Sequence, residues 1–239
     1  MCQMAWLTDE SGTDSLEYNE AGGVEGGINM KLHSRQKTSI PDGVMVCGQH
    51  PALYLVEDAM KRPIVDLETF QFYRFNPERI VKLDQDLLDN LDTGESICVH
   101  GDFMRSSPST IVLQRNNSER YLWSGGKLHP IVSAETYQRL QFHLAQTVIV
   151  NDVVFNSLPM GEPIYNTAIL AYGPINWRVY SAPDGRIYYS QQHRLHRILS
   201  PSIFYYYHWK SNEIIHLTNM EFSICSLGDP ITEHLLPRG

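Results

Sequence analysis

The sequence predicts an α+β fold built from three tandem repeats, and two observations carry this prediction. A Gly-acid-x-Ile motif recurs every 67 residues, as Gly94–Ile97, Gly161–Ile164 and Gly228–Ile231. Residues 54–97 and 121–164 also align without a gap and share 14 identities in 44 positions. Chance pairing at ordinary composition would give roughly one identity in seventeen positions. A fixed period of this kind is typical of a repeat architecture.

The first half of each repeat is predicted to contain three strands. The first strands are expected at Val44–Val46, Ile111–Leu113 and Arg178–Tyr180, and the second at Leu53–Val56, Tyr121–Trp123 and Ile187–Ser190. The turn between them is clearest at 182–185, where Pro183 presets φ and Gly185 accepts a positive φ. A third short strand is expected to end at Ile64, Ile131 and Ile198.

The second half of each repeat is predicted to form a helix, a strand and a final short helix. Helices are expected at Leu67–Arg74, Ala134–Leu144 and Pro201–Trp209. Asp66 and Ser133 suit the N-cap of the first two, and Pro201 suits the first helical position of the third. Strands are expected at Ile80–Leu83, Thr147–Val150 and Ile214–Leu217. A last helix, capped by Asp84, Asn151 or Thr218, is then expected to end at the motif glycine in left-handed geometry.

The predicted unit is therefore β-β-β-α-β-α, about 67 residues long. Such a unit cannot bury both its faces alone, so the three copies should share interfaces. They could close around a pseudo-threefold axis or stack in a line. The chain is therefore predicted to divide into five parts. A flexible, acidic and Gly-rich leader covers 1–42, the three repeats cover 43–97, 98–164 and 165–231, and a C-terminal tail covers 232–239.

Composition argues against two classes of partner. The net charge of −8 is unsuited to a nucleic-acid surface, which needs clustered Lys and Arg. No run approaches 18 consecutive apolar residues, so no membrane span is expected. The first ten residues lack a basic stretch followed by an apolar one, so we expect no secretory signal and a cytoplasmic location. Secretion or the cell envelope is the alternative location.

One stretch of the first repeat resembles a known family. The chain reads Leu-Tyr-Leu-Val from Leu53, then Lys-Arg-Pro-Ile from Lys61, followed by Glu68-Thr69-Phe70 and the Gly94–Ile97 motif. This resembles a tandem module of bacterial secreted and envelope proteins that reads roughly YLV-x-x-GKKRPI. The resemblance implies an accessory or binding role rather than catalysis. Ala59 stands where the module has a turn glycine.

One set of candidate site residues recurs in every repeat. The position just before the end of the third strand is basic or imidazole, as Arg62, His129 and His196. An acid follows each motif glycine, as Glu95, Glu162 and Asp229. These residues could form three equivalent ligand sites, or a structural contact repeated for folding, which is the ordinary role of such pairs.

A second candidate set is the aromatic run of the third repeat, Tyr205, Tyr206, Tyr207 and His208. The tyrosines replace Gln138, Arg139 and Leu140 of the second repeat, so at least one is expected to be exposed or at an interface. Exposed aromatic rings with polar tips suit sugar rings or a protein partner, and packing between repeats is the alternative.

No motif identifies an enzyme, a metal site or a cofactor site. His193 and His196 form HxxH, but positions i and i+3 of a strand point to opposite faces, so no metal is expected. Gly125-Gly126-Lys127 lacks the spacing of a phosphate loop, so no cofactor is expected. We therefore predict a non-catalytic binding or scaffolding protein for a glycan, a small ligand or a partner protein.

The alternative function is a small enzyme, such as an isomerase, a cyclase or a hydrolase. It would use a pocket between repeats, with His129, His196 or His208 as the acid–base residue. The sequence favours no particular catalytic set, and it leaves the oligomeric state open.

Overall fold

The computed structural model describes residues 40–115, 118–143 and 146–232. This part of the chain is a mixed α+β fold, as predicted, with three main sheets, a small hairpin and helices of four to six residues. The predicted leader lies outside the described residues except for 40–42, where Ile40 and Asp42 are buried. Residues 233–239 of the predicted tail also lie outside them.

The first sheet has the strand order β4-β1-β2-β3-β5. Its strands are β1 (Met45–Cys47), β2 (Leu53–Glu57), β3 (Met60–Pro63), β4 (Ile80–Lys82) and β5 (Asp92–Thr93). β2 runs antiparallel to β1 and β3, whereas the two edge strands are parallel to their neighbours. Helix α1 (Leu67–Phe72) follows β3, and its N-cap Asp66 accepts a hydrogen bond from the Thr69 N–H. Helix α2 (Gln85–Asp89) connects the two edge strands.

The second sheet follows helix α3 (Phe103–Ser106) and has the order β8-β7-β6-β9. Its strands are β6 (Ile111–Gln114), β7 (Arg120–Ser124), β8 (Lys127–Pro130) and β9 (Thr147–Ile149). Ser133 caps helix α4 (Ala134–Arg139), and Asn151 caps helix α5 (Asp152–Ser157). Bridges Leu128↔Met160 and Ile131↔Ile164 extend the sheet beyond β8.

A two-stranded hairpin, β10 (Ile169–Leu170) and β11 (Gly173–Pro174), leads into the third sheet. That sheet has the order β15-β12-β13-β14-β16. Its strands are β12 (Val179–Ser181), β13 (Ile187–Gln191), β14 (Arg194–Ile198), β15 (Ile215–His216) and β16 (Leu227–Ile231). Ser200 caps helix α6 (Pro201–Tyr206), and a capping box between Thr218 and Glu221 starts helix α7 (Asn219–Ser223).

The helices that follow the third strands are shorter than the sequence predicted. Helices α1, α4 and α6 end at Phe72, Arg139 and Tyr206. Two residues after each helix the backbone turns left-handed, with φ of 56° at Arg74, 53° at Gln141 and 54° at His208. Left-handed backbone cannot continue a right-handed helix, so it stops each one.

The prediction that each motif glycine caps a helix in left-handed geometry is wrong. Among the glycines in the described part of the chain, positive φ occurs at positions 43, 125, 126, 173 and 185. The motif instead runs parallel beside the third strand of each sheet, through the pairs Ile64↔Ile97, Ile131↔Ile164 and Ile198↔Ile231. A Cβ on Gly161 or Gly228 would lie 2.5 or 2.2 Å from a histidine ring, so close packing requires glycine there.

Each pair of sheets shares one hydrophobic core. The first core joins buried residues of the first and second sheets, including Leu55 and Leu113. The second joins the second and third sheets, including Val112 and Tyr180, and the third joins the third and first, including Tyr189 and Val46. Each sheet therefore packs against both of the others. In the part of the chain with assigned structure, no helix is long and apolar enough to cross a membrane.

Asp42 is expected to make stability depend on pH. Burial raises the pKa of this carboxyl from 3.8 to about 6, although the Ala59 N–H donates to it. The native state then binds a proton that the unfolded state has released between these two values. Stability should therefore fall as pH rises from about 4 to about 6, by roughly 2 kcal/mol. Asp42→Asn should flatten this slope in urea titrations across that range, whereas Asp58→Asn, at an exposed neighbour whose charge raises the Asp42 pKa less than burial does, should retain most of it.

Candidate functional site

Arg62, His129 and His196 make the same contact in the three sheets. Arg62 Nε donates to the Glu95 carbonyl at 2.8 Å. The Nδ1 atoms of His129 and His196 lie 2.9 Å from the Glu162 carbonyl and 2.8 Å from the Asp229 carbonyl. The partner is in every case the backbone of the acidic residue and not its carboxylate. These contacts hold the motif segment against the third strand of each sheet.

The remaining donors of Arg62 are occupied by the protein. Its guanidinium forms an ion pair with Glu57, and both side chains are at most 10% exposed. It also donates to the carbonyls of Ser107 at 2.9 Å and Arg105 at 2.7 Å. The Ser109 N–H donates to the other Glu57 oxygen at 2.7 Å. Arg62 therefore anchors the segment that leads into the second sheet, and it presents no nitrogen without a protein partner.

His129 is likewise enclosed. Its second ring nitrogen, Nε2, lies 2.8 Å from the hydroxyl of Tyr172, which sits in the β10–β11 hairpin. The Tyr172 ring packs edge-on against His193, with the ring centroids 4.4 Å apart. Burial lowers the pKa of His193, whose Nδ1 lies 3.1 Å from the Pro174 carbonyl. In the corresponding place of the third sheet, the Nε2 atom of His196 is buried with no partner among the described residues.

The aromatic run of the third sheet is divided between three environments. Tyr207 is 3% exposed and belongs to the core shared with the first sheet. Tyr206 is half-buried, and its hydroxyl lies 3.5 Å from the Lys82 carbonyl of the first sheet. Tyr205 is 68% exposed, and His208 is also exposed. The four residues therefore do not form one site, and Tyr206 and Tyr207 pack between sheets.

Tyr205 lies on a groove of about 260 Å³, here called the third-sheet groove. The groove is lined mainly by apolar side chains, with two arginines, including Ile198, Leu199, Phe204, Tyr205, Arg186 and Arg197. Arg186 forms an ion pair with Asp184. Leu199 is 51% exposed, so this surface presents apolar groups to solvent.

Two matched substitutions should show that Tyr207 contributes to the stability of the fold and that Tyr205 does not. Tyr207→Leu removes a buried ring and is expected to lower the free energy of unfolding by about 2 kcal/mol. Tyr205→Leu changes an exposed residue and should stay within about 0.5 kcal/mol of the parent chain. Urea unfolding followed by far-UV circular dichroism measures both values. Equal losses would mean that the run packs as one unit.

A larger opening, the central cleft, lies where the three sheets meet. Its outer part has a volume of about 650 Å³, and an inner chamber of about 140 Å³ continues from it. Both parts are lined by Arg74, Phe75, Asn76, Arg79 and Gln146. The cleft therefore draws on the segments between the first helix and the fourth strand of the sheets.

Charged and polar side chains converge in the central cleft. Arg79 forms an ion pair with Glu213, and His143 Nε2 lies 3.9 Å from Glu213 Oε1. The Arg178 guanidinium packs over the Phe142 ring, 4.6 Å from its centroid. Sequence reasoning missed this site, because none of these residues belongs to a motif.

A comparison at the 67-residue step could have found the cleft. Gly43, Thr110 and Trp177 are 67 residues apart and all line the inner chamber. Arg79, Gln146 and Glu213 have the same spacing, and all three line the outer part. Within each set the three side chains differ completely in chemistry, so a search for residues shared by the repeats does not find them.

Metal ligands are not clustered in the part of the chain that the structure describes. Within it, no three His, Cys, Asp or Glu side chains are placed to hold one ion together. His193 occupies the β13–β14 turn with a φ of 57°, and His196 lies on the strand that follows.

Comparison with known proteins gives a sequence relative and distant structural matches. No protein-family model matches the chain. Protein CgeD of Bacillus subtilis (strain 168) is 29% identical over 128 residues, which cover 53% of this chain and 30% of CgeD. The chain therefore spans less than a third of that relative's length.

Several solved structures resemble the chain weakly, and two of them illustrate the match. A chain of the intact ESX-5 inner membrane complex matches with a TM-score of 0.22 and 10% identity, over 83% of this chain and 54% of that one. The EccB3 dimer from the ESX-3 core complex matches with a TM-score of 0.20 and 13% identity, over 77% of this chain and 62% of that one. Scores this low carry no inference about fold or function.

Proposed function

We propose that this protein is a non-catalytic binding protein built from three copies of one β-β-β-α-β-α unit around a pseudo-threefold axis. The strand orders support three copies, because the first four strands of each sheet are arranged identically. Register supports them too, since Tyr54↔Pro63, Tyr121↔Pro130 and Tyr188↔Arg197 pair at the same step of 67 residues. The resemblance to an accessory module agrees with a binding role.

The observation that carries the proposal is that equivalent residues of the three units meet at the central cleft and differ there. The first unit contributes Gly43, the second Thr110 and Ile111, and the third Trp177 and Arg178. Residues shared by all copies build the unit. Residues that diverge around a common opening are free to recognise a ligand. A small ligand in the central cleft is therefore the function that the geometry favours.

Binding is favoured over catalysis by the groups that line the cleft. His129, His196 and His208 are absent from its lining residues in the described part of the chain. The inner chamber is lined by guanidinium, amide and hydroxyl groups, which hold a ligand but do not exchange protons readily near neutral pH, whereas His143 and Glu213 line only the outer part.

A ligand screen with a blocked cleft tests this proposal. Gln146 lines both parts of the cleft, so Gln146→Trp should fill it, whereas Gln138→Trp adds the same ring on the exposed face of α4. Thermal unfolding with sugars, amino acids, carboxylates and phosphates should show a saturable rise in Tm for the parent chain and Gln138→Trp. Gln146→Trp should show none. A ligand that binds Gln146→Trp equally well would contradict the proposal, and a ligand chemically changed on incubation would favour the enzyme.

A second candidate function is the binding of a partner protein at the third-sheet groove. The observation behind it is that Tyr205 and Leu199 are exposed beside an apolar lining, with the exposed Arg197 on the same groove to meet an acidic neighbour. A mostly apolar lining suits a protein side chain better than a glycan, which needs many polar contacts. Tyr205→Ser should abolish co-purification of a specific partner while leaving Tm unchanged. Retention of that partner would place the contact elsewhere.

A further inference from the structure

We infer that the inner chamber of the central cleft holds an oxyanion, the carboxylate or phosphate group of a small ligand. This inference rests on the proposed function, because it specifies the chemistry of the ligand at that site. It names Arg178, Thr110 and Arg79 as the residues that contact the anion.

Three buried polar atoms in the lining of the inner chamber have no partner. They are Nε of Arg79, Nε of Arg178 and Oγ1 of Thr110, which make no hydrogen bond to any residue that the structure describes. Buried polar groups are nearly always hydrogen-bonded, so each orphan needs an explanation. Two of these atoms can only donate, and a hydroxyl donates readily. An acceptor group bound in the chamber would give such donors a partner.

The charge of the inner chamber also favours an anion. Arg74, Arg79 and Arg178 line it, and no carboxylate does so among the described residues. Glu213 neutralises Arg79 from the outer part of the cleft, and His143 also faces Glu213 there. Burial lowers the pKa of Arg178, which is the effect expected of a cation with too little compensating charge. A bound oxyanion would supply that charge.

The size and walls of the chamber define which part of a ligand enters it. A volume of about 140 Å³ corresponds to roughly five water molecules. The walls combine the rings of Tyr73, Phe75 and Trp177 with polar side chains that include Asn76, Gln146 and Asn176. The chamber therefore accepts a head group. The body of the ligand would extend into the outer part, past Asn76 and Gln146.

Small probes test the anion directly. Isothermal titration of the parent chain with acetate and with inorganic phosphate should show saturable binding by at least one of them in the millimolar range. Acetamide, the uncharged counterpart of acetate, should bind at least tenfold more weakly, because hydrogen bonds to charged acceptors are the stronger ones. Acetate and phosphate distinguish a carboxylate from a phosphate head group.

Substitutions assign the binding to the inner chamber. Arg178→Met keeps a long side chain over Phe142 and should weaken binding of the anion about ten- to a hundredfold. Without ligand it should raise Tm, because it removes a partly buried charge that has no ion-pair partner among the described residues. Arg194→Met, at an exposed arginine of the same sheet, should change neither quantity. Thr110→Val provides a second test if Arg178→Met fails to fold, and it should also weaken binding of the anion.

The possible outcomes separate this inference from the proposed function. If neutral compounds bind the parent chain and Gln146→Trp blocks them, while acetate and phosphate do not bind, the cleft is a ligand site without an anion subsite. Anion binding that survives both Arg178→Met and Thr110→Val would also overturn the inference. If Gln146→Trp leaves the binding of every compound unchanged, the proposed function fails as well.

Discussion

Arg62→Met is expected to lower the free energy of unfolding by about 3–5 kcal/mol, because it strands a buried carboxylate. Glu57 is 5% exposed, and Arg62 supplies its ion pair. The same substitution releases the carbonyls of Glu95, Ser107 and Arg105, each held by a guanidinium nitrogen. One residue therefore joins the third strand, the motif segment and the start of the second sheet. Urea unfolding at neutral pH measures the loss.

Two comparisons show whether the stranded charge causes the loss. Arg105→Met removes an exposed arginine whose pair with Glu95 spans 3.3 Å, and it should cost less than about 1 kcal/mol. Adding Glu57→Gln to Arg62→Met should recover part of the stability, because no buried charge remains. The deficit of Arg62→Met should also shrink as pH falls and Glu57 takes up a proton. A deficit that neither acid nor Glu57→Gln reduces would assign the effect to lost packing.

The order of elements was predictable because its signals are local. Asp66, Ser133 and Ser200 each accept a hydrogen bond from a backbone N–H three residues later, as N-cap residues do. The ends of the same helices were not predictable. They depend on left-handed backbone at Arg74, Gln141 and His208, and neither arginine nor glutamine is a residue type that favours it.

For the motif glycine, the sequence correctly predicted a constraint but assigned it to the wrong cause. The recurrence of this glycine correctly indicated a constraint on the backbone, and a left-handed helix cap is a common constraint of this kind. The actual constraint is a side chain from a neighbouring strand, which comes into contact only when the sheet is formed. Sequence spacing alone cannot distinguish the two.

The candidate site was harder to predict than the fold, because packing creates it. Tyr205, Tyr206 and Tyr207 are adjacent in sequence, but successive helix positions point about 100° apart, so the three reach different surroundings. Arg178 and Thr110 lie 68 residues apart and meet only because three sheets close around one opening. The sequence contained one usable sign of this, the chemical divergence of equivalent positions.

Gly161→Ala is expected to destabilise the chain by about 3 kcal/mol, because the added methyl group has no room. Its Cβ would lie 2.5 Å from Cε1 and 2.7 Å from Nδ1 of His129. That ring is 3% exposed, and both its nitrogens have partners, the Glu162 carbonyl and the Tyr172 hydroxyl. The ring can move only by giving up these contacts. Thermal or urea unfolding measures the cost.

The equivalent glycines provide matched controls with a predicted order. Gly94→Ala should cost least, about 1 kcal/mol, since its nearest atom is Cγ of Arg62 at 3.2 Å. The cost of Gly228→Ala should lie between those of Gly94→Ala and Gly161→Ala, because His196 is only half-buried and its Nε2 has no partner among the described residues to lose. His129→Ala should relieve most of the effect of Gly161→Ala in a double-mutant cycle. Equal costs at all three positions, without coupling to His129, would mean that the motif needs glycine for its backbone and not for the ring beside it.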